Sequence, residues 1–424
     1  MKKHIEDLKN RTYNFLRWTE QWTGTDMIYL ASGTFWIQTG KIVAMGLSFI
    51  SSIAFANFLP QEIYGNYRYI LSVFGFLTIF TLSGMDNVII NASARSHSDL
   101  ALAAIKEKIK WGFGGLFLGL GISIYYLIMK NMVLAESLLI ASVFTPFFDP
   151  LFSFNSIING KKKFKLQTTY ALIIRITTTL VLISTIYLSQ NIVLITLIYF
   201  VSNFFLRIIF FRKTIKNVLN QDLEIKSLNS KDELSFGKHL SLMGVIGQVS
   251  IYLDKLLVFQ FNSGAILAAY YLAMTPFKQI QTLLGGINTL ALPKFSQNTL
   301  ENIRKTLLHK IAKLYLIIIP IIIAYFLSAD FIFEKIYPQY LSAVFISKIF
   351  MLQLLFFPTN MIGTVFTAHS QQKNLYIAST SYAIIRIILI LILTPIFGIY
   401  GAVSAILITG FINSIINLYL FLKK

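Results

Sequence analysis

Residues 161–213 read KKKFKLQTTYALIIRITTTLVLISTIYLSQNIVLITLIYFVSNFFLRIIFFRK. Two apolar runs, 166–188 and 190–211, are joined by a very short turn. Each is long enough to cross a bilayer as a helix, which takes about 20 mostly apolar residues. Lysines crowd the start of the first run, and Arg207, Arg212 and Lys213 follow at the end of the second. Short cytoplasmic loops carry an excess of Lys and Arg. The hairpin therefore enters and leaves the membrane from the cytoplasmic face.

The same reading extends over the whole chain. Further apolar stretches lie at 34–58, 66–90, 111–129 and 132–157, and after a polar gap at 239–261, 266–292, 311–328, 341–367, 374–394 and 398–422. Alternate loops separate by charge. One set holds Lys2, Lys3, Lys9, Arg11 and Arg17, then Arg95, Lys106, Lys108 and Lys110, then Lys161, Lys162, Lys163 and Lys165. It continues from Arg207 to Lys238, through Lys294, Arg304, Lys305, Lys310 and Lys313, to Lys373, Lys423 and Lys424. The other set holds only Arg68, Lys130 and Lys335. A wrong helix count would scramble this alternation. The expectation is an all-α polytopic membrane protein of about 12 transmembrane helices, with both termini cytoplasmic.

Composition agrees. Of 424 residues, 55% are apolar and 13% charged, against roughly 25% charged in soluble domains. The excess of 37 Lys and Arg over 18 Asp and Glu gives +19. Spans of this length assign that excess to topology, and no nucleic-acid partner is expected. The chain has no cysteine, which excludes disulfides, thiolate zinc sites and Cys nucleophiles. Its histidines, His4, His97, His239, His309 and His369, have no metal-binding spacing, and no Walker A loop occurs. No metal, cofactor or enzymatic activity is expected. The first residues lack the apolar core of a signal peptide. Within 1–30, Ile5, Leu8, Phe15, Trp18 and Trp22 share a helical face, predicting an amphipathic interfacial segment.

The polar stretch 212–237 reads as a cytoplasmic linker between six-helix bundles at 31–211 and 238–424. The halves echo each other. Thr168-Thr169-Tyr170-Ala171 resembles Thr380-Ser381-Tyr382-Ala383, 212 residues on, and Arg175 and Arg386 follow. Parallel repeats of this kind are related by a pseudo-two-fold axis along the membrane normal, with sites between the halves.

Lys41, Arg175, Lys255, Lys278, Lys348 and Arg386 fall inside spans, as do Asp149 and Asp254, with Asp86 near the end of a span. A charge facing lipid at mid-bilayer costs at least about 2.5–3.5 kcal/mol. These cations should instead face a wet cavity or one another, while Lys348 is placed to reach an interface. Asp149 and Asp254 are candidates for internal ion pairs or for proton or sodium coupling. A positive excess in a cavity suits an anionic passenger, and diphosphate fits Lys and Arg chemistry. Tyr170, Tyr270 and Tyr382 are candidates to stack on sugar rings. Gly115, Gly119 and Gly121 predict close helix packing, and Pro146 and Pro150 a kink around Asp149.

Several segments resemble a known family. Phe58-Leu59-Pro60-Gln61-Glu62-Ile63-Tyr64-Gly65-Asn66-Tyr67 resembles a loop of oligosaccharide (O-antigen type) flippases in the multidrug/oligosaccharidyl-lipid/polysaccharide exporter superfamily. Leu82-Ser83-Gly84-Met85-Asp86-Asn87, Asn159-Gly160-Lys161-Lys162-Lys163-Phe164, and Asp254-Lys255 followed by Ala269-Tyr270-Tyr271-Leu272-Ala273 are similar to further segments in the same order. Ala269 departs from the glycine often found there. The resemblance implies a monomeric flippase of the cytoplasmic membrane. It would move undecaprenyl-diphosphate glycans from the inner to the outer leaflet by alternating access. It also implies cavity cations at Lys41, Arg68, Lys255 and Lys278; the internal repeat adds Arg175 and Arg386.

Three rivals fit less well. A cation-coupled multidrug exporter would favour intramembrane carboxylates over amines. A membrane-embedded glycosyltransferase or ligase needs a larger outer loop than 328–341. A major-facilitator transporter would carry a Gly-x-x-x-Asp motif, which 91–110 lacks.

Overall fold

A computed structural model describes residues 27–219 and 230–423. The expected interfacial segment falls almost wholly outside them, as does the middle of the linker. Among the described residues there are helices, turns and no strand.

The first half comprises α1 (Met27–Phe58), α2 (Gln61–Leu77), α3 (Met85–Ala94), α4 (Ser98–Ile128), α5 (Met132–Phe152), α6 (Phe154–Gly160), α7 (Phe164–Leu188) and α8 (Ile192–Thr214). The second comprises α9 (Ser230–Phe261), α10 (Gly264–Gln297), α11 (Leu300–Ile336), α12 (Ala343–Met351), α13 (Phe357–Ala368) and α14 (Gln372–Leu422).

The tight turns read from sequence are present and capped. Asn131 accepts the Leu134 N–H at 3.1 Å to start α5. Asn191 accepts from Val193 at 2.9 Å and Leu194 at 3.2 Å to start α8. Each cap satisfies an N–H left free by the helix ladder.

Among the described residues nine helices are long and apolar enough to cross a membrane, ten when α2 and α3 count as one span bent by 57°. The sequence reading of twelve is larger for two physical reasons. At 34 residues α10 is of spanning length, but polar side chains dilute its apolar run. The 51-residue α14 is one helix only by its hydrogen bonding, because the backbone folds at Gly398 (φ 57°, ψ −133°). Only glycine adopts that conformation readily. The chain is a multi-pass membrane protein.

In the first bundle, α4 lies close against α5. A Cβ on Gly112 would sit 2.8 Å from Pro146 Cα, and one on Gly115 would sit 2.7 Å from the Leu77 carbonyl oxygen. Gly121 faces open space, so the packing role falls on Gly112, Gly115 and Gly119. α5 holds Pro146 and Pro150 within one helix and ends at Ser153.

The bundles touch where α1 turns into α2 and α9 into α10, here termed the far end. Glu62 accepts the N–H of Gly264 at 3.1 Å and of Ala265 at 2.9 Å. Ser52 and Tyr337 share a 2.8 Å hydrogen bond, and Asn57 donates to the Ile336 carbonyl at 3.0 Å. Buried Tyr64, Tyr270, Tyr337 and Tyr340 belong to one apolar core that spans both halves. At the near end, α9 meets the first bundle, and α10 approaches α1 where a Cβ on Gly286 would sit 3.4 Å from Gln38. Lys238 meets Glu107 at 2.7 Å, and the Gly84 N–H donates to Ser241 Oγ at 3.0 Å.

Candidate functional site

Behind the far-end closure lies a cavity of about 620 Å³ between the bundles. All six cations singled out from sequence line it: Lys41 from α1, Arg68 from α2, Arg175 from α7, Lys255 from α9, Lys278 from α10 and Arg386 from α14. Among the described residues, none that line it is an Asp or Glu. Arg68 had been sorted with the outer loops. It instead points inward, because α2 begins at Gln61 and carries it about two turns into the bundle.

The cations differ in what holds them. Asp254 is fully buried beneath the cavity wall. Lys255 meets it at 2.9 Å, Arg386 at 3.3 Å, and the Tyr270 hydroxyl donates to it at 2.7 Å. One carboxylate thus answers two cations. Arg68 donates to the Tyr64 hydroxyl at 3.0 and 2.9 Å and lies over the Tyr271 ring at 4.9 Å. Arg175 donates to Ser48 Oγ at 2.5 Å. Lys278 reaches Gln281 at 3.4 Å and lies 5.6 Å from the Phe277 ring. Lys41 has no partner among the described residues. Four of the six therefore carry no neutralising carboxylate, and their charge is available to an anion.

Polar neighbours complete the wall. Ser48 and Ser52 follow Lys41 on one stripe of α1, and Tyr271, Thr275, Lys278 and Thr282 follow i, i+4, i+7, i+11 on α10. That spacing was readable in sequence but is easily lost among apolar residues. A slot of about 270 Å³ between α1 and α10 shares Lys41, Met45 and Thr282 with the cavity and adds Ile42 and Leu283.

Lys348 lies outside the cavity and pairs with Asp330 at 2.6 Å. Besides Arg68, two placements differ from the sequence reading. Lys108, sorted as a loop residue, is fully buried inside α4, meeting Asp86 at 2.8 Å and Asp149 at 2.9 Å. Asp86 and Asp149 also accept from Ser156 and Thr81. Arg207, likewise sorted as loop, stacks 3.7 Å over the Phe148 ring and donates to its carbonyl. Lys108 was misplaced because α4 begins at Ser98, well before its apolar run, and Arg207 because it stands near the cytoplasmic end of α8, close to the basic Arg212 and Lys213. Asp149 and Asp254, the two acidic candidates, both sit in ion-paired clusters. Of the candidate tyrosines, Tyr170 packs on Phe210 at 4.3 Å and Tyr270 is buried, whereas Tyr382 lines a second pocket.

The fold has known relatives. A lipid II flippase, MurJ, in an inward closed conformation superposes with a TM-score of 0.62 at 20% identity, covering 89% of this chain and 87% of the other. An outward-facing multidrug resistance MATE family transporter of the MOP superfamily gives 0.59 at 14% identity, covering 92% and 94%. A MOP superfamily transporter from Pyrococcus furiosus, described as having a binding pocket of reverse polarity, gives 0.63 at 13% identity, covering 92% and 94%. No curated protein matches the sequence. Residues 30–299 match the family described as polysaccharide biosynthesis protein. With that match over more than half its length, and this fold, the chain belongs to the polysaccharide biosynthesis protein family.

Proposed function

We propose that the protein is a flippase for lipid-linked oligosaccharides, with the cationic cavity binding the diphosphate of a polyprenyl-diphosphate glycan. The observation that carries this reading is the cavity's charge: six cations around one space, with one buried carboxylate between them. Arg and Lys bind phosphate oxygens through charge-assisted hydrogen bonds, strengthened where water is scarce. The apolar slot between α1 and α10 is suited to a polyprenyl chain that stays in the bilayer while its headgroup occupies the cavity. A cationic drug would be repelled by the same field, which counts against the multidrug-exporter reading.

With the basic loops on the cytoplasmic side, twelve spans place both termini there, in the cytoplasmic membrane of the cell. The near end is then cytoplasmic, and the closed far end faces outward. Alternating access would open the far-end contacts and close the near end. Asp149 and Asp254 are the candidate coupling acids for a proton or sodium ion. The protein works as a monomer in this reading, since the site is complete within one chain.

The test is transport by purified protein in proteoliposomes, using undecaprenyl diphosphate bearing a fluorescent sugar. Lys41→Gln, Arg175→Gln and Lys278→Gln together remove cations that hold no carboxylate, so folding should survive. We expect at least a ten-fold loss of transport with normal yield. Wild-type transport by this triple variant would refute the reading.

A further inference from the structure

Next to the cationic cavity, inside the second bundle, lies another pocket of about 550 Å³ formed by α9, α13 and α14. Its size falls within the roughly 300–1,000 Å³ usual for small-molecule sites. Its chemistry is different. Among the described residues no lining residue is charged; the polar groups include Gln248, Asn360, Ser379, Tyr382, Asn413 and Asn417.

Two observations mark this pocket as built to hold a ligand. Asn417 is 4% exposed, and its side-chain oxygen has no hydrogen-bond partner; the Asn413 oxygen is likewise unpartnered. A buried amide oxygen left unpaired costs about 1–3 kcal/mol, so such groups normally have a reason. The lining also includes Gly244, Gly247 and Gly363, and a Cβ added at any of these would meet nothing within 4 Å. Packing does not demand glycine there, and glycine costs a helix interior about 1 kcal/mol relative to alanine. What the three glycines provide is room.

The pocket adjoins the cavity. Ile251 lines both, and Tyr382, on the pocket wall, shares a 3.5 Å hydrogen bond with Arg386 on the cavity wall. On α9 one stripe runs Gly244, Gln248, Ile251, Lys255; on α14 another runs Ser379, Tyr382, Arg386. Both pass from uncharged groups to a cation. At 1.5 Å per residue, Gly247 and Lys255 are roughly 12 Å apart along the axis. A ligand lying along these stripes is anionic at one end and neutral, rich in hydrogen-bonding groups, at the other.

We infer that this pocket is the subsite for the uncharged sugars of the glycan, adjoining the diphosphate. Amide groups pair with ring hydroxyls as donor and acceptor, the open glycines admit the ring, and Tyr382 offers it an aromatic face. The inference rests on the flippase reading but can fail separately from it.

The experiment measures binding to the purified full chain in nanodiscs. The probes are undecaprenyl diphosphate, bare or bearing one neutral sugar (glucose, galactose or N-acetylglucosamine in turn). The wild type should bind at least one glycosylated probe ten-fold or more tighter than the bare lipid. Gly247→Leu, Gly363→Leu and Asn417→Ala, each alone, should remove that preference and leave bare-lipid binding unchanged. The leucines enter open space at helical positions, so the fold tolerates them. Absence of any preference in the wild type, or a preference untouched by all three variants, overturns the subsite. So does sodium-dependent stabilisation lost in Asn417→Ala with no sugar preference, which would assign the pocket to a cation. Bare lipid that binds and is released by the Lys41, Arg175 and Lys278 variant keeps the flippase reading intact in each case. Failure of the wild type to bind bare lipid overturns both.

Discussion

Gly65 and Gly264 meet backbone to backbone across the two bundles. A Cβ on Gly65 would sit 1.6 Å from the Gly264 carbonyl oxygen, far inside contact distance. The neighbouring Glu62 caps the first turn of α10 from the other bundle at 3.1 and 2.9 Å. Helix α10 therefore starts against α2, and the far end closes only if both positions lack a side chain.

Gly65→Ala should hold the far end open. The bundle interiors are not touched by this change, so the equilibrium between open and closed forms should move rather than the fold be lost. The chain contains no cysteine, so labels can be introduced without background. Spin labels on cysteines replacing Glu136 and Gln339, one on each bundle near the far end, should report longer distances in Gly65→Ala than in its parent. Unchanged distances would show that the glycine contact does not govern closure.

Much of this site was legible because a charge inside an apolar run is costly and so conspicuous. Lys41, Arg175, Lys255, Lys278 and Arg386 stood out for that reason alone. Arg68 lies in the more polar start of α2, and only its family resemblance drew it into the site. Lys108 was hidden among Lys106 and Lys110, where a basic helix end looks like a loop. Its partners lie in other helices, with Asp86 at one end of α3 and Asp149 inside α5. Nothing local distinguishes a lysine that turns inward from neighbours that turn out. The uncharged pocket was illegible for another reason: Asn and Gly in a span carry no signal until the helices around them are placed.

The internal repeat makes Arg175 and Arg386 look equivalent, but their partners predict different behaviour. Arg386 binds buried Asp254, while Arg175 binds only the Ser48 hydroxyl. Arg386→Gln should cost about 1.5–3 kcal/mol of stability, the worth of a hydrogen bond to a charged group. Arg175→Gln should cost about 0.5 kcal/mol or less, as for changes away from such networks. Both should weaken binding of bare undecaprenyl diphosphate. Thermal unfolding in detergent separates the variants, and equal destabilisation would argue that Asp254 does not depend on Arg386.

Lys108 bridges three helices by holding Asp86 and Asp149 at 2.8 and 2.9 Å while being fully buried itself. Removing one partner of a buried ion pair strands the rest, at about 3–5 kcal/mol. Lys108→Met should therefore be poorly produced and aggregate on extraction, although it touches neither pocket. Replacing the whole cluster by uncharged groups of similar size should be far milder, because no charge is left buried alone. The decisive comparison is Lys108→Met against the triple variant Asp86→Asn, Lys108→Met, Asp149→Asn. Recovery of monodisperse protein in the triple variant assigns the cluster a role in folding. If the recovered protein also transports at the parental rate without response to a proton or sodium gradient, while the parent responds to one, then the Asp86–Lys108–Asp149 cluster carries the coupling as well.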